Sequence, residues 1–247
     1  MESARAVIPC RKCPLLDCGT LRPLTPAQLD LTQWMKNGEL HFEKGGHILA
    51  QGVISPHIYT LLMGIAFRFK TMEDGRRQIV NFHFPGDIIG LQAMMDDPAD
   101  HGIEVLTPAR LCIFPRRRIY DVFARDPSLG YDLTWLAAKE ETALDDHLLA
   151  LGRRRADERI TNLALFLLKR GWESGLTRTL GLAIPLSQAQ IADTMGLSVV
   201  HTNKTLQSLR RRGIVDWRPD GLRIVDLDRA MELAGFDQSL EQVRPFI

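Results

Sequence analysis

The sequence has no apolar run that approaches the roughly 18–20 residues needed for a membrane helix. Its first residues also lack an apolar segment after a basic start, so no secretion signal is expected. The formal net charge is only +1, so composition alone does not indicate a nucleic-acid or membrane partner. These absences predict a cytoplasmic protein without a membrane partner, and 247 residues are enough for two domains.

Cysteine is scarce, with four residues, and no internal repeat or low-complexity tract is present. In a reducing compartment so few cysteines favour free thiols, metal ligands or redox sensors over a disulfide framework. No convergent set of acid, base and nucleophile can be picked out from the sequence. An enzyme built on a β-roll is therefore only the distant alternative.

Short β-branched or aromatic runs separated by glycine turns fill residues 38–115. Turn signals at such regular spacing predict an antiparallel sandwich or barrel. The clearest hairpin joins residues 65–69 to residues 78–84, because Asp74-Gly75 supplies the positive backbone angles of a tight turn.

A long helix is predicted after Asp126-Pro127, where residues 128–151 contain no proline and no glycine beyond Gly130. Apolar residues recur there at helical spacing, at Ala137, Leu144, Leu148 and Leu151. This seam predicts a helix that pairs with its twin in a homodimer. Packing of the helix on its own domain is the alternative.

Arg153-Arg154-Arg155 marks the start of a second domain, with a helix over residues 157–170, two short helices and a hairpin around Pro219-Asp220-Gly221. Lys and Arg outnumber Asp and Glu by 15 to 11 in residues 153–247, whereas they are outnumbered by 16 to 19 in residues 1–152. This modest positive excess suits a polyanionic partner.

Residues 186–206 carry the strongest motif, a helix-turn-helix. Ser187 and Ser198 suit helix N-caps, and Gly196 suits the sharp turn between the helices. The second helix is expected to bury Val199, Thr202 and Leu206 and to present a polar row to base edges in the major groove. The following Arg210-Arg211-Arg212 suits the phosphate backbone, with a solvated helix end as the alternative. The predicted DNA-binding residues are Ser187, Gln188, Ser198, Val200, His201, Asn203, Lys204, Gln207, Arg210 and Arg211.

This order of elements resembles the Crp/Fnr family of bacterial regulators, with landmarks at Pro85-Gly86-Asp87-Ile88-Ile89-Gly90 and from Ile191-Ala192 to Gly196-Leu197-Ser198. The resemblance implies an α+β fold with a cyclic-nucleotide-binding-like β-roll (jelly roll), a long dimerisation helix and a C-terminal winged helix-turn-helix. The expected divisions are an arm at 1–24, the roll at 25–126, the helix at 127–152 and the DNA-binding domain at 153–247. It also implies a homodimer on palindromic double-stranded promoter DNA, under effector control, with RNA polymerase as a partner.

Departures from the family pattern restrict the effector and the DNA site. Leu91-Gln92 follows Gly90, and His101-Gly102 stands near the place of the Arg-Ser pair of cyclic-AMP-responsive members. Without a guanidinium group a cyclic phosphate loses its charge-assisted partner, so cyclic AMP is not expected to bind. Val200, Asn203 and Lys204 replace the Glu, Ser and Arg common in oxygen-sensing members, so a different DNA site is expected.

Cys10, Cys13 and Cys18 lie within nine residues of one another, on an arm that looks too polar and short to form a core. With Cys112, in the last strand before the long helix, they could supply the four ligands of a zinc ion or an iron–sulfur cluster. The set resembles that of the oxygen-sensing branch, which implies a [4Fe–4S] cluster, although the gap before Cys18 is one residue shorter. Zinc, a thiol–disulfide switch and a small-molecule regulator with incidental cysteines are the alternatives.

Two histidines in the predicted roll are candidate metal ligands. His83 lies between two phenylalanines and His101 follows Asp100, but no close His-x-His pair is present. Both are therefore predicted to be satisfied core or surface histidines.

Overall fold

The computed structural model describes residues 7–91, 97–236 and 243–246. Eight antiparallel strands in these ranges form a β-roll of two four-stranded sheets, with orders β1-β8-β3-β6 and β2-β7-β4-β5. The strands are β1 (Gly38–Phe42), β2 (His47–Leu49), β3 (His57–Met63), β4 (Ala66–Thr71), β5 (Arg77–His83), β6 (Ile88–Ile89), β7 (Gly102–Val105) and β8 (Ala109–Pro115). This architecture confirms the predicted roll.

The predicted hairpin is the pair β4 and β5, whose register runs from Ala66 opposite His83 to Thr71 opposite Arg77. Gly75 has a φ of +83°, which a residue with a side chain rarely adopts, so glycine is required in this turn. Side chains from both sheets fill the space between them, including the fully buried Leu61, Ala66 and Leu111.

The helices are α1 (Pro26–Met35), α2 (Ile119–Arg125), α3 (Pro127–Arg153), α4 (Ala156–Glu173), α5 (Gln188–Met195), α6 (Val199–Arg211) and α7 (Leu227–Ala234). Helix α3 is the predicted long helix, and the Asp126 carboxylate caps it by accepting hydrogen bonds from the Ser128 and Leu129 amides, both at 3.1 Å. Within the described ranges, none of these helices combines the length and apolarity that a membrane crossing requires.

The C-terminal domain packs α5, α6 and α7 against α4. Ile160, Ala164 and Leu167 of α4 are fully buried, together with Ile191 of α5 and Leu209 of α6. Beside the helices, a three-stranded sheet has the order β10 (Val215–Arg218), β11 (Gly221–Ile224), β9 (Gly181–Leu182). Strands β10 and β11 are the predicted hairpin and form the wing of a winged helix-turn-helix.

The described part of the N-terminal arm corrects the expectation that this segment cannot join a core. Two 3-10 turns, Cys10–Lys12 and Pro14–Asp17, turn Cys10 and Leu15 inward. Leu15 and Leu21 are buried in one apolar cluster with Cys112 of the roll. The prediction was wrong because residues far along the chain, rather than the arm itself, supply most of this core.

The C-terminal domain also contacts the roll directly. The Gln78 side chain donates to the Thr194 carbonyl at 2.8 Å, and Arg77 pairs with Asp193 at 3.2 Å. These bonds join β5 of the roll to α5, the first helix of the helix-turn-helix.

Candidate DNA-reading surface and cysteine arm

Local hydrogen bonds within the helix-turn-helix cap its two helices. The Ser187 hydroxyl accepts a hydrogen bond from the Gln190 amide at 3.2 Å, and the Gln190 side chain accepts one from the Ser187 amide at 2.9 Å. Gly196 ends α5 with a φ of +62°, in the left-handed region. Ser198 then caps α6 by accepting from the His201 amide at 3.2 Å. Both predicted caps and the predicted turn are confirmed.

Helix α6 has one buried and one exposed face. Thr202, Thr205 and Leu209 are buried, with Leu206 half-buried beside them. Val199 is 49% exposed, so its predicted burial is wrong. It is the first residue of the helix, before the turn that packs on the domain, and Thr205 takes the inward place.

The exposed face of α6 carries Val200, His201, Lys204 and Gln207, which we call the DNA-reading face. Asn203, also predicted to bind DNA, is half-buried, and its side-chain oxygen accepts a hydrogen bond from Gln207 at 3.1 Å. The face offers an apolar group for a thymine methyl as well as amide, imidazole and ammonium groups for base edges and phosphates.

The other predicted DNA-binding residues border this face. Ser187, Gln188 and Ser198 are exposed near the helix N-termini, and Arg210 and Arg211 are exposed at the end of α6. Arg210 lies 3.3 Å from Asp216 of β10, which ties the end of α6 to the wing. The positive charge beside the reading face is therefore partly neutralised by the wing.

Three of the four cysteines lie around one buried lysine. Cys10, Cys13 and Cys112 all lie within electrostatic range of the Lys36 ammonium group, which itself donates to the Glu39 carboxylate. Burial raises the pKa of the Cys10 and Cys13 thiols, and it raises the pKa of Cys112 to about 12. These thiols are protonated at neutral pH unless a metal binds the sulfur or an oxidant converts the thiol to a disulfide.

Cys18 contacts Thr20 and Gly175. Its sulfur is 3.1 Å from the Thr20 hydroxyl and packs so closely on Gly175 that a Cβ there would lie 2.9 Å away. No group of three or more metal-ligating side chains forms among the described residues, which include all four cysteines. The predicted ligand set therefore does not fit a four-cysteine cluster in this arrangement.

The predicted dimerisation residues lie on α3 and are mostly open to solvent. Ala137 is exposed, Leu148 is 70% exposed and Leu144 is half-buried. Leu151, also half-buried, lies beside Gly196 in the helix-turn-helix. The buried side of α3 instead carries Leu129, Leu133 and Leu136, which pack on the roll. The described residues thus leave Ala137 and Leu148 of the seam uncovered and cover Leu144 and Leu151 in part.

Comparison with known proteins decides the family. Two family models match the chain, the cyclic nucleotide-binding domain at residues 39–126 and the Crp-like helix-turn-helix domain at residues 158–232. The nitrogen fixation regulation protein FixK of Rhizobium meliloti is 32% identical over 72% of this chain and 77% of its own length. The chain belongs to the Crp/Fnr family.

Other relatives of this Crp/Fnr regulator extend over more of the chain. FixK of Bradyrhizobium diazoefficiens is 28% identical over 91% of this chain and 93% of its own. The solved structure of FixK2 from Bradyrhizobium japonicum superposes with a TM-score of 0.69 and 26% identity, covering 79% of this chain and 96% of that one. The protein is a transcription regulator and not an enzyme.

A cavity of about 340 Å³ lies between the roll of this Crp/Fnr regulator and α3. Buried Arg68, which the sequence analysis missed, lines it and pairs with Glu140 of α3 at 3.1 Å. The roll was expected to offer no guanidinium group to a ligand, and Arg68 corrects that expectation. Its charge is nevertheless neutralised by the Glu140 carboxylate. Gln92, used in that argument, lies outside the described residues.

Two histidines also line this cavity. His83 is 2% exposed and His101 is 6% exposed. Neither ring nitrogen of His83 has a hydrogen-bond partner among the described residues, and neither does Nε2 of His101. Both rings are buried, as predicted for core histidines, but these nitrogens are not satisfied by the described residues, because the sequence could not show that both rings open onto one cavity. Unpaired buried polar atoms of this kind suit a bound ligand.

Proposed function

We propose that this regulator binds palindromic double-stranded promoter DNA through α6. The observation that supports the proposal most directly is the DNA-reading face, which is exposed, polar and carried by a helix capped at Ser198. Because none of the described residues covers this face, the helix can enter the major groove without unfolding. The wing and Arg211 lie where they can contact the phosphate backbone.

The protein acts as a homodimer in this proposal. In the apolar seam of α3, Leu148 is 70% exposed and Ala137 is exposed as well. A parallel pair of such helices would bury it and set two DNA-reading faces about one duplex turn apart. The protein would act in the cytoplasm, with RNA polymerase as the partner of the bound dimer.

The test is a mobility-shift titration on an operator that wild-type protein selects from a random-sequence duplex pool. Lys204→Ala and Asn203→Ala should each weaken binding by about 1–3 kcal/mol per lost base contact, with two chains per duplex. Lys44→Ala, at an exposed position of the roll between β1 and β2, is the matched control for loss of a lysine. Unchanged affinity in both α6 variants would show that another element reads the bases.

We further propose that the arm cysteines make DNA binding responsive to redox state. The arrangement of Cys10, Cys13 and Cys112 around Lys36 supports a common response of these three thiols. A [4Fe–4S] cluster bound by all four cysteines would in addition require Cys18 to leave Thr20 and Gly175. A thiol switch would leave Cys18 in place.

The experiment purifies the protein without oxygen and measures iron, sulfide, zinc and the visible spectrum. DNA affinity is then compared before and after exposure to air. We expect Cys13→Ser and Cys112→Ser to abolish the change in affinity. A brown protein that also needs Cys18 would establish the cluster, whereas a colourless, metal-free protein that does not need Cys18 would establish the thiol switch. Equal affinity under all conditions would contradict redox control.

The cavity supports a second candidate function, response to a small molecule. Its two histidines have unpaired nitrogens, and its one guanidinium group, on Arg68, is already paired with Glu140. An uncharged, largely apolar ligand with hydrogen-bonding atoms at one end fits this lining better than a cyclic phosphate does. Cyclic AMP is accordingly not the proposed effector.

A further inference from the structure

The last described residues, 243–246, pack back onto the roll, and we call them the C-terminal strap. Arg244 is 4% exposed and Phe246 is 3% exposed. Val243, which precedes Arg244 in the strap, is exposed to solvent. Phe246 enters the apolar cluster that contains Leu15 and Leu21 of the arm. The strap therefore belongs to the DNA-binding domain by sequence and to the roll by packing.

Arg244 enters a buried ionic group that we call the Asp87 network, consisting of Asp87, Arg170, Glu173 and Arg244. The Arg244 guanidinium donates to the Asp87 carboxylate at 2.5 Å and to the Pro85 carbonyl at 3.0 Å. Arg170 of α4 donates to both oxygens of the same carboxylate at 2.6 Å, and to Glu173 at 2.5 Å. The two arginines balance the two carboxylates, and Lys169 also lies 4.0 Å from Glu173 at the edge of the group.

Backbone bonds connect the same strap to the arm. The Arg244 amide donates to the Thr20 carbonyl at 3.0 Å, and the Arg22 amide donates to the Arg244 carbonyl at 2.8 Å. The Thr20 hydroxyl in turn donates to the Glu173 carbonyl at the end of α4 at 2.7 Å. Arm, strap, roll and α4 thus form a closed ring of contacts.

The turn of the roll is shaped to admit the strap. Gly86 has a φ of +88°, and a Cβ at this position would lie 3.0 Å from the Arg244 guanidinium and 3.2 Å from the Leu21 side chain. A side chain at residue 86 would therefore displace both partners.

The ring adds an attachment of the DNA-binding domain to the roll at the end of α4. The domain also contacts the roll through the bond of Gln78 to Thr194. Phe82 of the roll and Leu163 of α4 further share one buried apolar cluster. The strap strengthens this interface at the end of α4, where it limits rotation of the domain on the roll. Because α5, α6 and α7 all pack on α4, fixing the end of α4 fixes the DNA-reading face as well.

We propose that the C-terminal strap positions the DNA-binding domain, with Arg244 and Asp87 as positioning residues that hold α4 and the DNA-reading face in a fixed orientation to the roll. In a dimer this orientation sets the separation of the two reading faces. The proposal rests on the proposed function for its DNA readout. The strap itself touches no DNA.

The test uses the operator selected by wild-type protein, the same operator with one or two base pairs inserted between its half-sites, and a single half-site. Wild-type protein should lose affinity sharply on insertion, because its reading faces cannot adjust. Arg244→Ala should bind the intact operator about tenfold more weakly, tolerate the insertions with a much smaller further loss, and bind the half-site as wild type does. Merely destabilised protein would lose affinity for all three duplexes alike.

Three further variants keep the test decisive. Val243→Ala, the exposed neighbour, should behave as wild type, and Arg244→Lys should restore part of the spacing preference. Deletion of residues 243–247 removes Arg244 together with its charge and leaves Asp87 paired with Arg170. This variant replaces Arg244→Ala in the test if Arg244→Ala folds poorly. Wild-type spacing preference in the deletion variant would overturn the proposal.

Hydrogen exchange separates this inference from the proposed function. In Arg244→Ala, amides of residues 78–82 and 190–195 should exchange faster than in Val243→Ala, because the contact of β5 with α5 opens more often once the strap is released. If wild-type protein selects no operator, the proposed function fails while this measurement still decides the strap. Unchanged exchange at both segments would contradict the positioning role.

Discussion

The DNA-reading face and the Asp87 network both depend on charged or polar side chains of the DNA-binding domain, but their surroundings differ. Lys204 is exposed to solvent, and its charge pairs with none of the described residues. Arg170 and Arg244 are buried, and their charges are balanced by Asp87 and Glu173. A change on the exposed face therefore alters what is bound, whereas a change in the buried network alters where the domain lies.

Burial explains why the network resists change. Removal from water is the largest single effect on the Asp87 carboxyl and would raise its pKa, yet the neighbouring Arg170 and Arg244 hold its pKa well below the usual range. A carboxyl of this kind adds stability above its unfolded pKa, and that stability is lost only as the pH falls toward its folded pKa. The network thus stays ionised throughout the physiological pH range.

The largest effect that would test this contrast is expected for Asp87→Ala. The variant leaves Arg244 buried without a carboxylate, and breaking a buried pair in this way typically costs about 3–5 kcal/mol. Urea unfolding at fixed protein concentration measures the loss. Glu73→Ala, in the exposed hairpin turn, should stay within about 0.5 kcal/mol of wild type. Equal effects of the two variants would erase the distinction between buried and exposed charge.

A pH-dependent effect of intermediate size is expected from His101. Burial, with smaller contributions from Arg68, His83 and Lys70, lowers its pKa to about 4, against the opposing effect of Asp100. The unfolded chain takes up the proton first, near pH 6.5, so stability is lost as the pH falls from 6.5 toward 4, by up to about 3 kcal/mol.

His101→Gln should remove this part of the acid sensitivity. The matched control is His41→Gln, at an exposed position of β1. Thermal unfolding of wild type and both variants between pH 7 and pH 4 supplies the comparison. Parallel curves for wild type and His101→Gln would show that the histidine is charged in the folded protein as well.

The smallest effect is expected at the cap of the reading helix. Ser198→Ala removes the acceptor for the His201 amide and should lower the free energy of unfolding by about 1 kcal/mol. Ser208→Ala, inside the same helix, removes no capping hydrogen bond and should change the free energy of unfolding less. Urea unfolding checks both, and a loss at Ser198 as large as that at Asp87 would show that local and long-range contacts contribute equally.

Local signals in the sequence predicted most elements of the fold. The caps at Ser187 and Ser198, the turn at Gly196 and the hairpin at Gly75 depend on neighbouring residues only. Helix α3 followed from apolar spacing over many turns. The inward face of α6 was predicted less well, because the exposure of Val199 depends on where the packing partner begins.

The buried polar groups could not be predicted, since each depends on residues distant in sequence. Arg170 lies 83 positions from Asp87, and Arg244 lies 157 positions from it, with no periodic pattern linking them. The cavity lined by Arg68 and His83 likewise exists only when α3 covers the roll. Spacing and the family resemblance placed four cysteines in one hypothetical site, but tertiary packing places Cys18 against Thr20 and Gly175.

The sequence distance between the strap and its partners also has a kinetic consequence. The Thr20 bond to Glu173 spans 153 residues, so the chain between them must be ordered before the bond forms. The arm and the strap should therefore dock late, after the roll and the DNA-binding domain have each folded. Contacts made after the transition state slow unfolding without speeding folding. Loss of the strap would accordingly shorten the lifetime of the native protein while leaving its folding rate nearly unchanged.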